Sequence, residues 1–215
     1  MSAMGSHVKR RYDATKRKQA AAGNRRAILD AALELFSTRG YSGTSMAAIA
    51  ARADVALDTV YASAGRKPEL ARLLIETAIS GTTQAVPADD RDYVQAIRAA
   101  PDAGTKIEIY ASAMRAIAGR LAPVLAILQQ AAPAAPELTA LWREISERRA
   151  ANMRRFAADL AASASLRTEL DQAADIIWAT GAPELYQLLV GQRGWTPEQY
   201  ERFLADTWRR VLLAV

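Results

Sequence analysis

Apolar positions recur at helical spacing along nearly the whole chain. Ile28, Ala31, Leu35 and Phe36 share one face, and Met46, Ile49, Ala50 and Ala53 share a second. Leu57, Val60 and Tyr61 open a third stripe, and Leu70, Leu73, Leu74 and Thr77 form a fourth. Gly40 stands where a left-handed residue would close the first helix. Thr44 or Ser45 can cap the second, and Pro68 suits the first turn of the fourth, where its missing N–H costs nothing. Three short, closely joined helices predict a compact module. No stretch alternates with β-branched enrichment, so no sheet is expected.

Residues 81–91, GTTQAVPADDR, read as a connection. A second helical set follows. Ile107, Tyr110, Met114, Ile117 and Leu121 step by three and four until Pro123, which is expected to kink or break that helix. AAPAAPEL breaks the chain before a helix carrying Leu138, Leu141, Trp142, Ile145, Phe156 and Leu160. Leu170, Ala173, Ala174, Ile177 and Trp178 form the next. GQRGW at 191–195 reads as a turn, and TPEQ after it has the residues of a capping box. The final helix shows Tyr200, Phe203, Leu204, Thr207, Trp208, Val211 and Leu212. The expected fold is all-α. A flexible arm at 1–24 precedes a three-helix unit at 25–70 and a larger helical domain at 71–215.

Composition narrows the chemistry. The 215 residues are 51% apolar, enough for a sizeable core. There is no Cys, and the one histidine, His7, lies in the polar N-terminal stretch, beside an MGSH that resembles a cloning scar. Neither thiol chemistry, a Cys- or His-built metal site nor Ser-His catalysis fits. No phosphate-cradling Gly loop or nucleophile–base pair is present, so neither enzyme activity nor a cofactor is expected. The apolar runs, such as Leu121–Leu128, fall short of the ~20 residues that cross a bilayer. No apolar signal segment opens the chain, so a cytoplasmic protein without membrane contact is expected.

The net charge of +5 is unevenly placed. Residues 1–26 hold eight cations against Asp13 alone, which leaves −2 for residues 27–215. A cationic arm beside a nearly neutral body suits a polyanion partner, and equally a solubilising tail.

Residues 44–62 have the layout of a helix-turn-helix. Ala47, Ala50 and Ala51 permit close helix approach, Val55 plugs the turn and Val60 faces the core. Leu57, Asp58, Thr59 and Ala62 are left for a major groove ~12 Å wide. The stretch ILDAALELFSTRGYSGTSMAAIAARADVALDTVYASAGRKPEL resembles the N-terminal domain of the TetR family of transcriptional repressors. Phe36, Gly40, Tyr41, Thr44, Ile49, Ala50, Val55, Thr59, Val60, Tyr61, Lys67 and Leu70 carry the resemblance. DIIWATGAPELYQLLVGQRGWTPEQYERFLADTW is similar to a C-terminal pattern in one branch of the family.

The resemblance implies a homodimer on a palindromic double-stranded operator, with Tyr61 and Lys67 on phosphate. Thr44 and Ser45 can offer hydroxyl and N–H groups to phosphate. Ser45, Leu57, Asp58, Thr59, Tyr61 and Lys67 are the principal candidates. Arg10, Arg11, Arg17 and Lys18 of the arm could enter the minor groove. Departures from the pattern are informative. Ala56 replaces a common capping Ser, a loss of ~1 kcal/mol. Asp58 would repel phosphate, yet it either supports the helix start through the dipole or accepts from a cytosine amino group. Ala64 removes an aromatic that usually packs after Tyr61, and Arg66 adds charge beside Lys67.

The resemblance also implies a ligand cavity in the second domain. Tyr110, Met114, Trp142, Phe156, Trp178 and Tyr186 could line it, or serve as plain core. Such a cavity would be apolar with few charges, pointing to a small hydrophobic or aromatic effector. Lys106, Glu108 and Arg115 read as surface. The last two long helices are the expected dimer interface as a region, with Leu185, Leu188, Leu189, Phe203, Leu204, Trp208 and Leu212 giving a broad apolar area that is divided between that interface and intrachain core. The rival reading is a helical adaptor using the basic arm on an anionic surface; the arm's lack of an interleaved apolar face weighs against it.

Overall fold

The computed structural model describes the chain from Gly5 to Ala214, with side chains described from Lys16 onward except Lys18. The side chains of Arg10, Arg11 and Lys18 therefore lie outside the described residues. Among the described residues there is no strand, only one antiparallel bridge between Leu166 and Leu213. Two compact units divide between Leu74 and Ile75.

In the first unit, α1 (Gly5–Arg39) packs with α2 (Met46–Arg52) and α3 (Leu57–Ala64). The helical backbone of α1 extends back to Gly5, through the stretch read as an arm. Its Ala, Lys, Arg and Gln content favours helix. Ile28, Ala32, Phe36, Ile49 and Val60 form the centre of this core, each at most 1% exposed. Ser45, not Thr44, caps α2, its side chain accepting from Ala48 N–H. Asp54 follows α2 in the left-handed region at φ 53°. Its N–H donates to the Ala51 carbonyl and that of Val55 to Ala50, the paired bonds of a Schellman ending. A short carboxylate side chain tolerates this conformation better than most. α3 ends on Gly65, at φ 70° and ψ −150°, a region open essentially to glycine alone. A Cβ there would lie 2.9 Å from Cβ of Glu69. This turn launches α4 (Lys67–Ser80), which runs across the division between the units.

In the second unit, α5 (Asp92–Ala99), α6 (Ala103–Ala131), α7 (Pro136–Ala161), α8 (Leu170–Thr180), α9 (Pro183–Tyr186) and α10 (Pro197–Leu212) surround one core. Pro123 does not end its helix: α6 continues to Ala131. Only one intrahelical bond, to the Gly119 carbonyl, is forfeited, and Gly119 lies exposed to solvent. The stretch Ala103–Ala134 is long and apolar enough, by length and composition, to cross a membrane. This corrects the expectation from uninterrupted apolar runs, which missed it because scattered polar residues break them. Half of its most apolar window is buried within the chain, as befits a core helix. α9 passes directly into a π-helical turn, Gln187–Gln192. The capping box at Thr196 and Gln199 forms as the residues require.

α10 carries two apolar stripes. Tyr200, Leu204, Trp208 and Leu212 are wholly buried, while Phe203 is half-buried and Val211 exposed. Trp208 stacks on Tyr110 at 5.3 Å, and its indole N–H donates to the Thr180 hydroxyl at 2.7 Å. Leu204, Trp208 and Leu212 thus belong to the core of their own chain, the alternative left open for part of this apolar area. Leu185, Leu188 and Leu189 sit on α9 and the π turn, not on a long helix. Lys106, read as surface, is also buried. Its ammonium donates to the Asp159 carbonyl and the Ser163 hydroxyl near the end of α7, where a cation suits the helix dipole.

Gly65→Ala is expected to cost about 1–3 kcal/mol of local stability. Faster amide exchange across α3 and the start of α4 is the readout, since all four tryptophans lie at or beyond residue 142. A second expectation concerns pH. Asp102 caps α6 by accepting from the Thr105 N–H and hydroxyl, which hold its carboxyl below 3.8. Its contribution is present at neutral pH and fades as pH falls from about 4 through the lowered value. The Asp102→Ala variant should show a shallower acid dependence of its melting temperature.

Candidate nucleic-acid interface and cavity

α3 presents two unlike faces. Val60 and Ala64 point inward, whereas Leu57, Asp58, Tyr61 and Ala62 are exposed and Thr59 is half-buried. Leu57 is 39% and Tyr61 45% exposed, large side chains left in water on an eight-residue helix. The first turn has no side-chain cap at Ala56; its Thr59 N–H donates to the Ala56 carbonyl, and Asp58 is the acid of that turn. Arg25 supports the other end, its guanidinium donating to the Ser63 carbonyl at 2.6 Å. That residue counted only as tail charge in the sequence; here it is a strut from α1 to α3.

Thr44 is a correction. It is 2% exposed, and its hydroxyl lies 3.1 Å and 2.9 Å from the Leu35 and Gly40 carbonyls. Its N–H donates to Tyr41, so neither group is offered to phosphate. Ser45 stays exposed while it caps α2. Lys67 opens α4 with its ammonium 4.3 Å from the centre of the Tyr41 ring. A cation at a helix N-terminus is disfavoured by the dipole, and the aromatic face offsets this. An arriving anion would gain from both the ammonium and the helix end. Residues 45–70 hold Arg52, Arg66 and Lys67 against Asp54, Asp58 and Glu69. The helix-turn-helix is therefore neutral, and the chain's excess of cations lies in residues 1–26.

The second unit contains a cavity of about 70 Å³, opening into a cleft of about 730 Å³ when solvent at its mouth is counted. Tyr110, Met114 and Trp142 line it together with Ile117, Leu121 and Ile145. Of the other sequence candidates, Phe156 lines a neighbouring cleft beside Tyr110. Trp178 lies at the surface under the Arg149 guanidinium, 4.7 Å from its ring. Tyr186 packs edge-on against Tyr200, away from the cavity lining. The expectation of few charges is overturned, because Arg91, Arg148 and Arg149 all line the wall. Arg148 pairs with the buried Glu76 of α4 at 2.5 Å. Arg149 falls on the same helical register as Ile145 and Met153, a cation placed within an apolar stripe. That was the legible signal for it. Among the described residues no group of side chains could hold a metal ion.

Residues 28–74 match the profile of the bacterial regulatory proteins, tetR family. The fold recurs in solved structures of low identity. A TetR-like transcriptional regulator from Rhodococcus sp. RHA1 is 19% identical, with TM-score 0.55 over 87% of this chain and 94% of that one. The fatty acid degradation regulator of Bacillus halodurans is 17% identical, with TM-score 0.58 over 86% and 93%. A protein from Saccharomonospora viridis, crystallised with choline, is 16% identical, with TM-score 0.64 over 89% and 98%. No curated protein matches the sequence. Residues 28–74 are thus similar to the tetR family of bacterial regulatory proteins, and the chain has the TetR-like fold of a helix-turn-helix unit ahead of a larger helical domain.

Replacing Arg25 with Met removes the strut and should lower the protection of α3 amides by about 1 kcal/mol, read by hydrogen exchange. Unchanged protection would show that the Ser63 carbonyl needs no such partner.

Proposed function

We propose that the chain is a homodimeric, DNA-binding transcriptional regulator, acting as a repressor that leaves a palindromic operator when a small hydrophobic or aromatic effector fills the cavity. It works in the cytoplasm and catalyses nothing. The observation that carries this reading is the two-faced α3, with Leu57 and Tyr61 exposed beside a fully buried Val60. Exposing large apolar groups next to Asp58 and Thr59 suits a surface completed by base edges and thymine methyls. Two such helices must lie about 34–36 Å apart to reach successive major grooves, which requires a dimer. Leu188 and Val211 are the exposed apolar side chains available for it after Gly181.

Release follows from α4. It is one helix from Lys67, a phosphate-contact candidate, to Ser80. Glu76 and Ile79 on its later turns meet the cavity wall, Glu76 through Arg148. An occupant that repositions Arg148 would shift Glu76 and the helix that bears Lys67. The coupling is reciprocal, so operator DNA weakens effector binding by the same factor.

Nuclease protection of DNA upstream of the protein's own gene is the direct test. Lys67→Ala should weaken binding uniformly across sites and reduce the salt slope by about one. Thr59→Ala should change sequence preference at one position in each half-site. Parent-like binding by both variants would remove α3 from the groove.

A further inference from the structure

The arginines on the cavity wall have unequal partners. Arg148, Arg154 and Arg155 on α7 each lie within ion-pair distance of a carboxylate, from Glu76, Asp171 and Asp89. Arg149 does not. One of its nitrogens donates to the Trp178 carbonyl at 2.7 Å, and its plane rests over that indole. Glu184 acts on it only at longer range, forming no ion pair. Arg91 likewise donates to the Val86 carbonyl at 3.1 Å and reaches the Tyr93 hydroxyl at 3.4 Å, with no acid in ion-pair distance. A guanidinium carries five N–H donors, so both retain donors to offer.

The remaining polar lining points the same way. Arg91, Arg149 and Tyr110 all line this one cavity. The Tyr110 hydroxyl is wholly buried and donates to the sulfur of Met153, a weak acceptor that an oxygen anion would displace. Asn152 is a further polar residue of the lining. Met114, Ile117, Leu121, Trp142 and Ile145 make the rest apolar.

We propose that this cavity binds an organic acid, whose carboxylate sits between Arg149, Arg91 and the Tyr110 hydroxyl and whose hydrocarbon or aromatic body lies on the apolar wall. The inference deepens the effector reading above and rests on it. Planar guanidinium groups hold a carboxylate through paired bonds, and removal from water strengthens them. A neutral body of the same size gains only the apolar contacts. A cation meets two like charges.

The experiment uses the full chain and three ten-carbon probes: decanoate, decanol and decyltrimethylammonium. Binding is followed by calorimetry and by Trp142-dependent fluorescence, and operator release by gel shift. Decanoate should bind at least about tenfold more tightly than decanol, and the ammonium weakest. Arg149→Met should abolish that preference while changing decanol affinity less than about twofold; if it fails to fold, Arg91→Met gives the same comparison. Decanol equal to decanoate, or a preferred cation, together with operator release, would overturn the acid while leaving the effector reading intact. Operator binding untouched by every probe, with none of them bound, would overturn both.

Discussion

A helix of eight residues cannot hold itself together in water, and everything proposed for α3 depends on its being clamped along one side. Val60 and Ala64 supply the clamped side. Arg25 ties down its last turn, and Gly65 ends it at a conformation other residues resist. The opposite side can then remain bare. A longer self-supporting helix would not need this arrangement, nor would it enforce so sharp a division between packed and open faces.

The same separation of tasks governs charge. The helix-turn-helix is electrically neutral, which in the proposed role suits reading base edges rather than holding phosphate. In that role, non-selective attraction would fall to the basic residues of 1–26. In the second unit, cations are placed by what they can reach. Lys106 finishes the end of α7, Arg148 neutralises Glu76, and Arg149 stays in the cavity wall with a carbonyl and a ring. Burial disfavours the charged form of Arg149, which makes an incoming anion the natural complement.

Several features were open to reading from local spacing. The helices of the first unit, Gly40 at its turn, the Thr196 capping box and the inward Val60 follow from short-range periodicity and capping chemistry. Errors arose where one residue type serves two purposes. Thr44 has the side chain of a phosphate donor, but its hydroxyl is buried within hydrogen-bond distance of the Leu35 and Gly40 carbonyls, and its one proton is used there. Lys106 sits on an apolar register yet reaches polar atoms 53 and 57 residues away. Pro123 costs little because the helix forfeits one bond there, at Gly119, a residue exposed to solvent.

The sequence by itself determined the all-helical class and the helix-turn-helix layout of the first unit, because these rest on contacts and caps within a few residues. Tertiary structure decided which of the two apolar stripes of α10 is core, which aromatics meet at a cavity, and that unpaired arginines stand among them. Those outcomes depend on how helices distant in sequence pack. A helical period specifies that a face is apolar, whereas only the neighbouring helix specifies what that face touches.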